Sequence, residues 1–215
     1  MKKLKLTQAE IDKLETVGRV LVNPTVCGVG CNDVQFQIKV DRKHIWQYKL
    51  WMSMLNRCFD AKFKQHCPTY ENVTCCDEWL SFATFVEWVN KEVGYSGKPE
   101  GTELDKDLII SGNKTYSPEA CSFVPDAINT LVIDRGNDRG KYPVGVFYHK
   151  RDGCFRAQVN CDNKRKWLGN YSTPEDAFAA YKVAKEAQIK IVATQYKDVL
   201  SPAVFESLMN WEIQP

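Results

Sequence analysis

The chain has 215 residues, enough for one good core or two small ones, and its 44% hydrophobic and 26% charged residues are the proportions of an ordinary globular protein. Disordered and membrane classes are excluded: no apolar run approaches the roughly 20 residues of a membrane span, and the basic start MKKLKLTQAEIDKLE has no apolar stretch behind it, so a cytosolic location is expected. The net charge is only +2, but residues 141–171 hold seven bases against two acids, a local +5 that attracts phosphate. The nine cysteines are an odd number and about 4% of the chain, below the roughly 8–10% of a disulfide scaffold, so reduced thiols are the expected state.

In chain order, Thr7-Gln8-Ala9-Glu10 has the pattern of a capping box, in which threonine and glutamate each satisfy a free backbone donor, and predicts a short helix over 8–16. Residues 19–22 and 34–40 are β-rich and flank the glycine-containing NPTVCGVGCND, which predicts a hairpin with a long tip. Trp46, Leu50, Trp51, Met54 and Leu55 recur near helical spacing, so 43–58 reads as an amphipathic helix. After the polar DAKFKQHCPTYENVT, Asp77 is placed to cap a second helix, EWLSFATFVEWVN, whose Trp79, Phe82, Phe85, Val86 and Val89 make one apolar face. Glycines and a proline turn the chain over 94–101. A segment with strand and turn signals follows over 101–131, and then DRGNDRGKYP, a linker of glycine and charge, marks the best domain boundary. Beyond it, three β-like segments at 144–149, 154–160 and 166–171 lead into a helix that Pro174 opens and that runs to about Thr194.

In that last region Ala177, Phe178, Ala180, Tyr181 and Ala184 are spaced to cover Val146, Phe155, Ala157, Val159 and Leu168. Arg156, Gln158 and Asn160 alternate with Phe155, Ala157 and Val159 and so fall on the opposite, exposed face, where Trp167, alternating away from Leu168, joins them. A basic three-stranded face with amide side chains has the width of a duplex groove and donors for phosphates and base edges. The plainer alternative is a solvated basic sheet that touches nothing. Gly145-Val146, Phe155-Arg156-Ala157-Gln158-Val159, Trp167-Leu168-Gly169 and the helix from Thr173 through Tyr181 resemble the Apetala/ethylene-response-factor type of DNA-binding domain, which also occurs in phage and mobile-element nucleases. The resemblance implies a sheet set in the major groove of double-stranded DNA, with contacts from Lys150, Arg151, Arg156, Gln158, Asn160, Lys164, Arg165 and Trp167. The family often carries arginines around its first strand, where this chain has Phe147 and Tyr148.

A nuclease of the ββα-metal type needs a strand ending in a general base, a loop, a second strand, and a helix that delivers a metal ligand. ELDKD, LIISGNKTYSPEA, CSFV and PDAINTL supply those elements in order, with Pro125 suited to the first turn of the helix. Together with Trp51-x-x-Met54-x-x-Arg57-Cys58, Cys76-Asp77-Glu78-Trp79-Leu80 and Ser117-Pro118-Glu119, they resemble phage HNH homing-type endonucleases over about 48–131. The resemblance implies that Asp105 ligates a magnesium or manganese ion and that Asn129 completes the metal site. Lys106 stands where the family's histidine is the general base, and Ala120 where an asparagine braces the loop. A lysine of ordinary pKa, about 10.4, is protonated at neutral pH and accepts no proton from water. Asp107 is the substitute base; otherwise Lys106 holds a phosphate. The residues leave two readings. One is metal-assisted hydrolysis or nicking of duplex DNA; the other is an inactive, nuclease-shaped factor that binds DNA or protein, for example an inhibitor of a host enzyme. The resemblance implies a phage or mobile-element protein, located in the cytoplasm, which is the host cell's if the protein is phage-encoded.

Cys58, His66, Cys67, Cys75 and Cys76 lie close enough in sequence to suggest zinc, but no gap gives a Cys-x-x-Cys knuckle, and buried reduced thiols are the favoured reading. Cys27 and Cys31 flank Gly28-Val29-Gly30 and read as a hairpin tip in preference to a metal pair, and His44 and His149 read as surface or hinge residues rather than catalysts. The expected fold is α+β in four parts. A helix and hairpin occupy 1–42, the ββα region 43–135, a three-stranded antiparallel sheet packed on one helix 141–197, and a tail or short helix 198–215.

Overall fold

The computed structural model describes residues 24–93, 100–132, 141–161 and 164–214. The chain divides into two compact units, Met1–Phe123 and Val124–Pro215. The helix expected over 8–16, the strand over 19–22 and most of the glycine-and-charge linker lie outside the described residues.

The first unit opens with two tight hairpins. Strands β1 (Pro24–Val26) and β2 (Gly30–Cys31) are joined across Cys27 and Gly28, both left-handed (φ 52° and 75°), and the Val29 N–H donates to Val26 O at 3.1 Å. This is a type I′ turn, whose twist matches that of the strands it joins. Strands β3 (Lys39–Val40) and β4 (Lys43–His44) repeat the arrangement across Asp41 and Arg42. The long-tipped hairpin predicted from the sequence is corrected here: the first turn lies inside the supposed tip, and 34–38 form no strand. Val34 and Ile38 pack against the core, while Phe36 is exposed. Side-chain burial therefore fastens that segment, with no ladder partner required.

Helix α1 (Trp46–Phe59) begins three residues later than predicted, because Lys43 and His44 are taken by β4. Its buried stripe is Tyr48, Trp51, Met54, Leu55 and Cys58. Asp60 ends α1 through its N–H to Asn56 O, and its carboxylate accepts the Phe63 N–H at 2.6 Å to cap α2 (Ala61–His66). The helix predicted to start at Asp77 starts instead at Phe82: Asp77–Leu80 is a 3-10 turn, and α3 runs Phe82–Val93. The cause is a cap from a distant residue. Asp33 accepts the Ser81 hydroxyl at 2.7 Å and the Ala83 N–H at 2.8 Å, and Ser81 Oγ accepts the Thr84 N–H at 3.2 Å, so the free donors of the first turn are satisfied there.

Trp79, Phe82, Phe85, Val86 and Val89 are nevertheless all buried, facing Trp51, Met54 and Leu55 of α1 in one core. The Trp51 indole N–H donates to Trp79 O at 2.7 Å inside it. Each such side chain contributes about 1.5–3 kcal/mol by leaving water, which makes this aromatic packing the main support of the unit. β5 (Thr74–Cys75) pairs in parallel with β7 (Thr115–Tyr116), and β6 (Thr102–Asp105) forms a separate two-stranded sheet with β8 (Ser122–Pro125); α4 (Asp126–Val132) follows in sequence.

In the second unit, β9 (Val146–His149), β10 (Cys154–Cys161) and β11 (Lys164–Tyr171) form an antiparallel sheet in the order β11-β10-β9. Helix α5 (Pro174–Gln195) crosses one face; Thr173 caps it by accepting the Asp176 N–H, and proline occupies its first turn. All the residues predicted for this core except Ala180 gather in one cluster, joined by Tyr142, Val144, Cys161, Tyr171 and Ile213. Helix α6 (Pro202–Met209), capped by Ser201, packs on α5 with Val204 and Leu208 buried. No helix among the described residues is long and apolar enough to cross a membrane.

Candidate nucleic-acid interface

Pairing fixes which side chains share the face opposite α5. Phe155, Ala157 and Val159 face the helix, so Arg156, Gln158 and Asn160 face away, opposite Asn170, Trp167 and Arg165 of β11 and, for Arg156, Phe147 of β9. The run of β11 partners skips Leu168: Gly169 pairs with Ala157, and Trp167 with Gln158. This bulge sets both Trp167 and Asn170 outward while Leu168 and Tyr171 join the core. Strict alternation from Trp167 would have sent Tyr171 outward. Gly169 has φ 143°, a conformation that favours glycine, and Tyr171 OH donates to Leu168 O at 3.2 Å.

Of the residues predicted to touch DNA, the sheet brings Arg156, Gln158, Asn160, Arg165 and Trp167 onto one face; Lys150 and Arg151 lie exposed in the β9–β10 turn. Lys164, opposite Cys161 at the end of the ladder, and Lys166, opposite Val159, have the helix-side register and are both exposed. Trp167 is 64% exposed, an unusual placement for a large aromatic and a platform for stacking or sugar contact. Arg156 is held rather than free. Its Nε donates to Asn170 Oδ1 at 3.1 Å and its Nη2 donates to Asp152 Oδ2, an oxygen that also lies 3.2 Å from His149 Nδ1. Asp152 and Asn170 escaped the sequence reading; the i,i+4 spacing of Asp152 and Arg156 was the available signal for the first, and the bulge conceals the second.

Gly145 makes this face possible. It sits at φ 75°, its carbonyl accepts the Gln158 N–H at 3.0 Å, and a Cβ there would fall 2.1 Å from the Tyr181 ring. Gly145→Ala is therefore expected to cost about 2–4 kcal/mol through backbone strain and overpacking, read as a lower urea midpoint.

The nuclease-like segment has the expected order of strand (β6), loop, strand (β8) and helix (α4), but its polar groups are engaged locally. Asp105 Oδ1 accepts the N–H groups of Asp107 at 2.9 Å and Leu108 at 2.8 Å. Burial, and next the Asp107 carboxylate, raise its pKa, against the pull of those donors. Lys106 is buried, 3.0 Å from Asp107 Oδ2 and 6.0 Å above the Tyr116 ring. Asn113 Nδ2 donates to Lys106 O and Thr115 O, closing the turn. Asn129 is half-buried on α4, and Ala120 is buried.

Among the described residues, no group of three or more His, Cys, Asp or Glu is placed to hold a metal ion. All nine cysteines are free thiols. Cys75 is pushed well up by its hydrogen bond with Cys58 and by burial, and Cys76 is raised to about 12, chiefly by burial. His66 Nδ1 lies 2.7 Å from Lys62 O of its own helix. Cys58 is buried and Cys67, Cys75 and Cys76 are half-buried, and thiols so placed pack as small hydrophobes.

The second unit thus carries a three-stranded antiparallel sheet with one helix on one face, and arginines, amides and an exposed tryptophan on the other. Residues 142–190 match the AP2 domain family, which supports DNA as its binding partner. No curated protein and no solved structure matches the chain. The family match does not reach the segment likened to homing endonucleases, and nothing in the comparisons supports that likeness.

Proposed function

We propose that this chain is a DNA-binding protein whose C-terminal module sets the outer face of its sheet in a groove of duplex DNA, and that residues 102–132 serve as a scaffold without hydrolysing the phosphodiester. The observation that carries the reading is Arg156, oriented by Asp152 and Asn170 beside Gln158, Asn160, Arg165 and Trp167 on one exposed surface. A guanidinium fixed in direction presents paired donors to guanine or phosphate at low entropic cost. The engagement of Asp105 and Lys106 in their own turn supports the non-catalytic part.

A second reading rests on the strand–loop–strand–helix order with Asp105 at the end of β6. In it, Asp105 and Asn129 hold magnesium or manganese, which would supply charge stabilisation at a scissile phosphate. Two assays on the full chain decide. Duplex affinity is expected to fall steeply with salt, by about 0.9 in log K per log unit of salt for each phosphate neutralised, while supercoiled plasmid stays intact through a magnesium and manganese series. Metal-dependent nicking would establish the second reading, and an absence of duplex binding at low salt would sink the first.

A further inference from the structure

The β3–β4 hairpin is closed by Asp41 and Arg42 at φ 48° and 64°. A type I′ turn demands positive φ at both central positions and draws Asn, Asp and Gly there, with glycine favoured at the second. Asp41 suits its position. Arg42 occupies the glycine position, where its Cβ is strained, and strain of this kind persists where the side chain has a use.

Lys39, Val40, Asp41, Arg42 and Lys43 are all exposed, and no ion pair between described residues involves Lys39, Arg42 or Lys43. Lys39 pairs with His44 and Val40 with Lys43, so the two lysines project from opposite faces of the ribbon. The ribbon is narrow at its tip and fixed at its root: the Ile45 N–H donates to Ile38 O at 2.9 Å, both isoleucines pack on the core, and the His44 ring lies 4.8 Å from that of Tyr48.

We infer that the Lys39–His44 hairpin is a second DNA-contacting element, with Arg42 entering the minor groove and Lys39 and Lys43 reaching the phosphates on its two walls. The inference rests on the duplex-binding reading above. A narrow minor groove concentrates negative potential and draws inserted arginine, most strongly over A·T-rich sequence. Lysines on opposite faces of a ribbon suit two phosphate strands, where lysines on one face would suit only one. A second contact on the same chain multiplies affinity through effective concentration.

Arg42→Gly separates the two meanings of the turn, because glycine relieves the strain and removes the guanidinium together. With the full chain and duplexes three helical turns long, one A·T-rich and one G·C-rich, the melting temperature is expected to be unchanged or higher, while affinity for the A·T-rich duplex falls roughly 5- to 50-fold. Lys39→Ala with Lys43→Ala is expected to flatten the salt dependence by about 0.9 per lysine. A lower melting temperature for Arg42→Gly, or affinity within twofold of wild type for both variants, overturns the inference. An equal loss on both duplexes overturns the minor-groove placement. Arg156→Ala is the companion control: if it weakens binding while the hairpin variants do not, the sheet reading stands and the hairpin falls. If wild type binds neither duplex, both fall.

Discussion

Replacing Arg156 and Arg165 together by alanine is expected to weaken duplex binding at least about 30-fold, since each arginine that reads a base edge or clamps a phosphate contributes roughly 1–3 kcal/mol. The two lie on one face of β10 and β11, Arg165 opposite Asn160 and Arg156 opposite Asn170, so the pair spans the length of the ladder. Folding should survive, because neither belongs to the cluster that holds sheet and helix together. A melting curve matching wild type is the control. Arg156→Lys should restore little: the fork that donates at once to Asp152 and Asn170 has no counterpart in an ammonium group.

Asp152 gives the sharper diagnosis. If it only neutralised Arg156, Asp152→Asn would strengthen binding to every sequence by removing a negative charge. As the residue that orients Arg156, it should instead lower the preference among sequences while raising affinity for unrelated duplex. Filter binding of wild type and Asp152→Asn to a randomised pool reads the difference; unchanged selectivity with uniformly tighter binding would sink the positioning role.

The sequence made the C-terminal module legible because period-two alternation on β10 and helical spacing on α5 both persist long enough to assign faces. What it concealed was one inserted residue. The bulge at Leu168 depends on the conformation of Gly169, and it decides that Asn170 joins Trp167 and Arg165 on the outer face while Tyr171 turns to the core. In the first unit, the stripe on α1 and the face from Trp79 to Val89 were readable for the same reason. Its two-residue strands were not, although ELDKD and CSFV did mark β6 and β8. A two-residue strand has no period to detect, and the start of α3 is set by Asp33, which lies 48 residues from Ser81.

The same distinction between local pattern and engaged atoms governs Asp105. Asp-Lys-Asp at a strand end is compatible with a metal-bearing carboxylate and equally with a carboxylate that caps its own turn, and only the bonds to Asp107 and Leu108 favour the second. Three variants, Asp105→Asn, Asp105→Ala and Lys106→His, are expected to separate these roles. In Asp105→Asn the side-chain oxygen still accepts both backbone donors, and the repulsion from Asp107 is gone, so melting should be unchanged or higher at neutral pH. Asp105→Ala loses both bonds and should cost about 0.5–2 kcal/mol, as removal of a comparable cap does.

The pH dependence has a definite sign. Because the folded state raises the Asp105 pKa above its ordinary 3.8, the fold binds the proton more tightly than the unfolded chain does. The Asp105 contribution therefore favours folding at low pH and declines as pH rises from that ordinary value through the raised one. Asp105→Asn should abolish that decline in a urea-denaturation series. If Asp105 instead holds a catalytic metal, both Asp105 variants should lose manganese-dependent nicking alike, whatever their stability. Lys106→His should then raise nicking by about 10² to 10⁴-fold, the usual contribution of a general base, because a histidine near its ordinary pKa is largely neutral at pH 7.5. Nicking that appears only in Lys106→His would mark a site that lost its base and kept its metal. No nicking in any variant, with Asp105→Asn as stable as wild type and Asp105→Ala less so, would fix Asp105 as the cap of a turn in a protein that binds DNA and leaves it whole.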